Sequence, residues 1–255
     1  MSCVDTHVER GVFTITLNDV DNRNALSDAL KTELASAIDR AESDAQVRVV
    51  VLTNAGKTFC AGADLKQKAA PQHGQPAVSM ADLFTRIRRS SKPFVGRIAG
   101  HCVAGGVGLA AAMDISVAAD DAGFGFTEVR IGVSPAIISV VCLPKMRAAD
   151  AREAFLRGNR FDAARAKAMG LINQVVPRHA LDSAVEAVVR DLIAGAPGAL
   201  AATKSVIEQV PTMHFEDALS WCTELSSALF ANAEGKEGIT AYKERRNAAW
   251  NLNND

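Results

Sequence analysis

The spacing of apolar positions changes several times along the chain. Residues 8–17, VERGVFTITL, are rich in β-branched side chains and predict a strand or hairpin. The turn-rich DVDNRNAL follows. From Ser27 the period becomes helical. Ser27 is placed to cap SDALKTELASAIDRAE, with Leu30, Leu34 and Ile38 on one face. Residues 47–54, VRVVVLTN, form a continuous apolar run, as a buried parallel strand requires. GKTFCAGADLK (56–66) predicts a loop, and the Pro/Gly/Gln-rich AAPQHGQPA after it a mobile one. SMADLFTRIRRS then reads as a helix, KPFVGRIAGH as a second buried strand, AGGVGLAAA as the start of another helix and DISVAAD as a third strand.

Strand and helix in alternation imply a parallel α/β sheet with right-handed crossovers. From Asp162 the pattern turns mainly helical, punctuated by Pro177, Pro197 and Pro211. Helices are expected near residues 180–194, 198–209, 215–230 and 235–250. No internal repeat is visible. The plan is an α/β core over residues 1–195 and a helical C-terminal region over 196–255, suited to covering a site or building an oligomer interface.

Composition narrows the function classes. The net charge of -1 gives no overall field for nucleic acid or an anionic membrane. Five cysteines, odd in number and without a CxxC pair, argue against a disulfide framework or structural zinc and for a reducing compartment. The polar N-terminus lacks the basic and apolar regions of a signal peptide. The most apolar run, VGLAAAMDISVAA, is broken by Asp114 and too short to span a bilayer. The expectation is a soluble cytoplasmic protein with no membrane or nucleic-acid partner.

Several familiar chemistries are missing. Gly132-Val133-Ser134-Pro135-Ala136 fails the nucleophile-elbow pattern at its last position, and there is no phosphate-binding GxxxxGK[ST]. The histidines lack metal-ligand spacing, and no metal is expected. His101 is expected to be packed or bonded to backbone. Three stretches remain. FCAGADL (59–65) can present backbone N–H groups around Ala61-Gly62-Ala63, or be only a tight turn. GHCVAGGVGL (100–109) follows a strand and opens a helix, whose first N–H groups suit an anion. Read literally, Gly106 to Ala111 also fits the dinucleotide pattern GxGxxA, with Glu128 as its acidic partner, although the pattern normally belongs to the first βα turn. FGFTEVRIGVSP (124–135) sets Glu128 among apolar residues. Burial would raise its pKa and poise it for proton transfer; the plainer reading is a surface glutamate paired with Arg130. Taken together, two amide sites and one carboxylate near strand ends make an oxyanion hole with a base beside it.

At these residues the chain resembles the enoyl-CoA hydratase/isomerase family, the crotonases, over nearly its whole length. RNAL (23–26) is similar to the family's first CoA-contacting loop, and FCAGADLK to its first oxyanion segment. GHCVAGGVGLA and DISVAADDAGFGFTEVRIGVSP resemble its second oxyanion segment and catalytic strand, and AEGKEGITAYKERR its C-terminal helix. The resemblance implies a crotonase-like spiral of ββα repeats with a helical trimerisation region, as a homotrimer or dimer of trimers. It implies that the N–H groups of Ala63 and Gly105 hold a thioester oxygen. It places CoA near Arg23, Ala25, Ala61, Asp64, Leu65 and Lys66, with Phe230 and Lys236 as candidates for covering the adenine end. CoA is part of the substrate, and no other cofactor is implied.

The family's two-carboxylate hydratases carry a glutamate three residues after the second oxyanion glycine, where this chain has Gly108. Glu128 matches the other. A lone glutamate suffices to shuttle a proton in a 3-enoyl to 2-enoyl isomerisation, whereas hydration also needs water oriented by another group. EVRIGVSPAIIS resembles family hydratases of branched or bulky enoyl-CoAs, and Gly108 would leave room for such a substrate. The leading expectation is an enoyl-CoA hydratase-type lyase. The alternatives are the isomerase and a non-catalytic acyl-CoA-binding protein.

Overall fold

The computed structural model describes residues 2–69 and 78–253. Residues 70–77, most of the stretch expected to be mobile, lie outside the described residues. The chain opens with strands β1 (Val4–Glu9) and β2 (Val12–Leu17), paired as an antiparallel hairpin. Its turn residues, Arg10 and Gly11, both have positive φ, as a tight hairpin turn requires. Helix α1 (Asp28–Ser43) begins where Ser27 accepts the Leu30 N–H. Then come β3 (Val49–Asn54), β4 (Thr58–Cys60), the short α2 (Leu65–Ala69) and α3 (Met80–Arg89). Strands β5 (Phe94–Ile98) and β6 (His101–Val103) lead to α4 (Gly105–Ala112). Strands β7 (Ile115–Ala119) and β8 (Gly123–Gly125) lead to a 3-10 turn, Glu128–Ile131, and α5 (Ala136–Cys142). The rest comprises α6 (Ala148–Arg157), β9 (Arg160–Asp162), α7 (Ala163–Ala168), β10 (Gln174–Val176), α8 (Leu181–Ala194), α9 (Pro197–Gln209), α10 (Phe215–Ala231) and α11 (Ala233–Glu244).

Two sheets grow in step. The larger has the order β1-β2-β3-β5-β7-β10 and is parallel from β2 onward; the smaller has the order β4-β6-β8-β9. Each ββ unit gives its first strand to the larger sheet and its second to the smaller: β3 and β4, β5 and β6, β7 and β8. The expected spiral of ββα repeats is present. The repeat lives in the path of the chain and has no counterpart in its letters.

All six residues of β3 are buried, for a reason specific to its place. Val50 and Leu52 face the cluster holding Leu30, Leu34 and Ile38 of α1. Val49 and Val51 face Val185, Val189 and Ile193 of α8. A strand covered on both faces cannot alternate.

Four elements differ from expectation. The loop at 56–66 contains β4 and the start of α2. KPFVGRIAGH divides into β5 and β6: Gly100 lies so close to the β4 backbone that a Cβ would come within 2.7 Å of the Lys57 oxygen and the Phe59 nitrogen. The region after Asp162 includes β10, which pairs with β7 in the larger sheet. The last helix stops at Glu244, where Arg245 turns left-handed (φ 57°). The chain then folds back, with Trp250 Nε1 donating to Ala194 O (3.0 Å) and Arg48 Nη1 to Trp250 O (2.7 Å).

Helix α9 is fastened by Lys204. Its Nζ donates to Asp114 Oδ2 (2.7 Å), Lys92 O (2.9 Å) and Ile87 O (3.3 Å). Lys204→Ala removes these donors and is expected to cost about 2 kcal/mol, read as a lower denaturant midpoint with an unchanged m value.

Candidate active site

The candidate groups leave neighbouring strands of the smaller sheet. Strands β4, β6 and β8 are parallel, with Cys60 opposite Cys102 and Val103 opposite Gly125. Ala63 lies three residues beyond β4, Gly105 two beyond β6 and Glu128 three beyond β8. The register alone gathers them at the carboxyl ends of adjacent parallel strands, where open α/β sheets place ligands.

The direction of the Ala63 N–H follows from its own peptide unit. Leu26 N–H donates to Gly62 O (2.8 Å), and Ala61 N–H to Arg23 O (3.2 Å). In a trans peptide the C=O and the next N–H point opposite ways, so pinning Gly62 O toward Leu26 turns the Ala63 N–H away from it. The Arg23–Leu26 segment is itself anchored. Asn24, left-handed and fully buried, donates from Nδ2 to Thr58 O (2.8 Å) and Ala55 O (3.2 Å).

The Gly105 N–H is set the same way. Ala104 O turns into α4 and accepts the N–H groups of Val107 (2.9 Å) and Gly108 (3.3 Å). The Gly105 N–H, in the same peptide as Ala104 O, faces out from the helix start. No side chain caps this helix, and neither the Ala63 nor the Gly105 N–H is used by another group among the described residues. Ala104 is held at φ 50°, ψ -117°, outside the comfortable regions for an L-residue. Gly62 (φ 87°) lets the two segments touch: a Cβ there would lie 2.9 Å from Ala104 Cβ and 3.2 Å from Gly105 N. Gly106 backs onto β4, where a Cβ would overlap the Cys60 carbonyl.

Glu128 opens the 3-10 turn that follows β8. It is half-buried, and its Oε2 finds no hydrogen-bond partner among the described residues. Burial pushes its pKa above the ordinary carboxylate value. Arg130 does not pair with it; that guanidinium donates to Gly158 O and Arg157 O, both at 3.1 Å. A half-buried acid with a buried, unpartnered oxygen is suited to moving a proton.

The remaining candidates are distributed as follows. Ala25 is buried and Ala61 partly so, while Arg23, Leu65 and Lys66 are exposed beside them. Asp64 is occupied in holding its own loop. It accepts from Asn22 Nδ2 (3.1 Å) and from the N–H groups of Lys66 (3.0 Å) and Gln67 (3.2 Å), and these bonds lower its pKa. His101 Nδ1 accepts the Gly123 N–H (2.9 Å), the backbone role expected of it. Phe230 and Lys236 are not brought to the site within one protomer. Phe230 lines an apolar groove with Val206, Leu225, Ile239 and Trp250, and Lys236 is exposed on α11.

Gly108 leaves no room for substrate, contrary to the sequence expectation. A Cβ there would stand 2.5 Å from Ile138 Cγ2 and 2.9 Å from Phe84 Cζ, and both side chains are buried. The volume is already filled by α5 and α3. The same contacts remove the dinucleotide reading, which needs that glycine open to a pyrophosphate. Sequence reasoning missed Ile138 and Phe84, because an apolar residue on a helix gives no sign of the glycine it will meet.

Comparison with known proteins places this geometry among relatives. The model of the family described as enoyl-CoA hydratase/isomerase matches residues 7–253. The enoyl-CoA hydratase EchA19 of Mycobacterium tuberculosis is 35% identical over 258 residues, covering 95% of this chain and 94% of its own. The 1,2-epoxyphenylacetyl-CoA isomerase of Escherichia coli is 29% identical, covering 96% and 97%. The crystal structure of an enoyl-CoA hydratase of Mycobacterium smegmatis superposes with a TM-score of 0.91 at 31% identity, covering 97% of this chain and 98% of its own.

Proposed function

The chain belongs to the enoyl-CoA hydratase/isomerase family, and from that premise we propose that it is an enoyl-CoA hydratase-type lyase working with one carboxyl group. The observation that carries the reading is Glu128, half-buried with an unpartnered Oε2, at the same end of the smaller sheet as two outward-facing amides. The Ala63 and Gly105 N–H groups receive the thioester oxygen as it gains charge. Glu128, as the carboxylate, takes a proton from the water whose oxygen adds to the β-carbon and returns that proton to the α-carbon of the enolate, which regenerates the carboxylate. CoA, lying along Arg23, Ala25, Ala61, Leu65 and Lys66, belongs to the substrate, and the chemistry needs no metal or further cofactor. The working form is a homotrimer or dimer of trimers, with Phe230 and Lys236 covering the adenine end of CoA in a neighbouring subunit.

A second reading is favoured by the filled space at Gly108. With no second acid to orient water, Glu128 takes a proton from one carbon of a 3-enoyl-CoA and returns it to another, moving the double bond. Incubation with 2-enoyl- and 3-enoyl-CoAs in heavy-oxygen water separates the two. Label at the β-carbon is the expected result and means hydration. A shifted double bond without label means isomerisation, and tight binding without either means a non-catalytic protein. The acidic limb of kcat/KM is expected above the usual carboxylate range, because burial raises the Glu128 pKa. A limb at the ordinary carboxylate value would assign the step to a solvated group instead.

A further inference from the structure

Helix α5 follows directly from the segment carrying Glu128, and two of its residues face inward one turn apart, Ile138 and Cys142. Burial holds the Cys142 thiol neutral, against the pull of Lys145, and the Glu128 carboxylate adds a smaller push in the same direction as burial. Ile138 faces the first turn of α4. There its Cγ2 and the Phe84 ring edge occupy the space into which any side chain at position 108 would project. That position is one helical turn from Gly105, and α5, which carries Ile138, follows the turn that carries Glu128.

We propose that Ile138 is a specificity-determining residue that confines this site to one-carboxylate chemistry, because with Phe84 it fills the volume that a second acid at position 108 would need. The inference deepens the proposed function and rests on it for the identity of the site. Its physical content is steric. Close-packed side chains leave no space to be shared. Opening the volume therefore requires removing Ile138, and supplying an acid requires replacing Gly108 as well.

The test uses the full-length protein in five forms: wild type, Gly108→Ala, Ile138→Ala, and Ile138→Ala combined with Gly108→Ala or with Gly108→Glu. Gly108→Ala alone is expected to lower Tm and to weaken acyl-CoA binding and turnover. With Ile138→Ala the 2.5 Å Cγ2 contact is gone while the 2.9 Å contacts with the residue-138 Cβ and Phe84 Cζ remain, so the added methyl is expected to cost about threefold less in that background than in wild type. An equal cost in both backgrounds overturns the packing claim, and this is read from Tm and binding even if the chain proves non-catalytic. The Gly108→Glu, Ile138→Ala form reads the chemistry. An increase of about tenfold in the rate of heavy-oxygen incorporation over Ile138→Ala, with a second ionisation in the pH profile, supports the proposal. A folded, CoA-binding double variant with neither change overturns it. Should that variant fail to fold, Ile138→Ala alone decides: a changed ratio of hydration rate to 3-enoyl isomerisation rate supports the role, and an unchanged ratio sinks it. A merely structural role moves Tm without moving that ratio.

Discussion

Glu128→Gln is expected to lose about a thousandfold or more in turnover while still binding CoA thioesters and gaining thermal stability near neutral pH. The amide keeps the shape of the side chain but cannot take or give the proton. The gain in stability follows from the same burial that suits the carboxyl for catalysis. Its folded-state pKa is raised by desolvation, so the folded protein favours the neutral form. Stability linked to this group is fully present below the unfolded-state pKa and is lost as pH rises through the folded one. At neutral pH wild type carries the cost of a half-buried charge, and glutamine does not. The difference in Tm between variant and wild type should therefore shrink as pH falls toward the ordinary carboxylate value. Near-normal turnover in the variant would overturn the assignment. A Tm below wild type at every pH would show that the carboxylate is a structural partner instead.

Gly62→Ala is the second variant with a large expected effect. Gly62 holds φ at 87°, and a methyl there would press on Ala104 Cβ and stand 3.2 Å from the Gly105 nitrogen. The backbone strain costs about 1–3 kcal/mol. The loss in chemistry should be larger. Relieving the contact means separating the two segments or turning the Gly62–Ala63 peptide, and either misaims an amide whose direction is fixed by the Leu26 to Gly62 hydrogen bond. Removal of one such donor lowers kcat by about a hundredfold or more. The expected pattern is a large fall in kcat with a modest change in KM and a folded far-UV spectrum. A fall in stability alone, with kcat preserved, would mean that the Ala63 and Gly105 amides do not hold the oxygen.

The C-terminal region shows how local signals mislead. Helices α8, α9 and α10 begin and end close to where apolar spacing and proline place them. Strand β10 is not legible, because three residues, Gln174–Val176, carry too little pattern. Its state is decided by hydrogen bonds to β7 from a distant part of the chain. The end of α11 is set partly from afar, by the return of Trp250 to Ala194, and partly locally, by Arg246 reaching back to Glu237.

Local sequence is enough to specify a strand or hairpin at the start of the chain, the buried β3, the Ser27 cap and the stretches FCAGADL, GHCVAGGVGL and FGFTEVRIGVSP in which Ala63, Gly105 and Glu128 lie. Each of these depends on periodicity, capping chemistry or a short run of residue types. How those residues meet is settled by the assembled fold. Strand register brings three separate loops to one end of the smaller sheet, and hydrogen bonds to the neighbouring carbonyls aim the two amides. Burial of Glu128 depends on what packs around it. The sequence marks Gly108 as a missing acid, but the fold shows a volume occupied by Ile138 and Phe84. Sequence spacing names the residues that face a given direction, whereas side chains from other helices decide whether that direction is open.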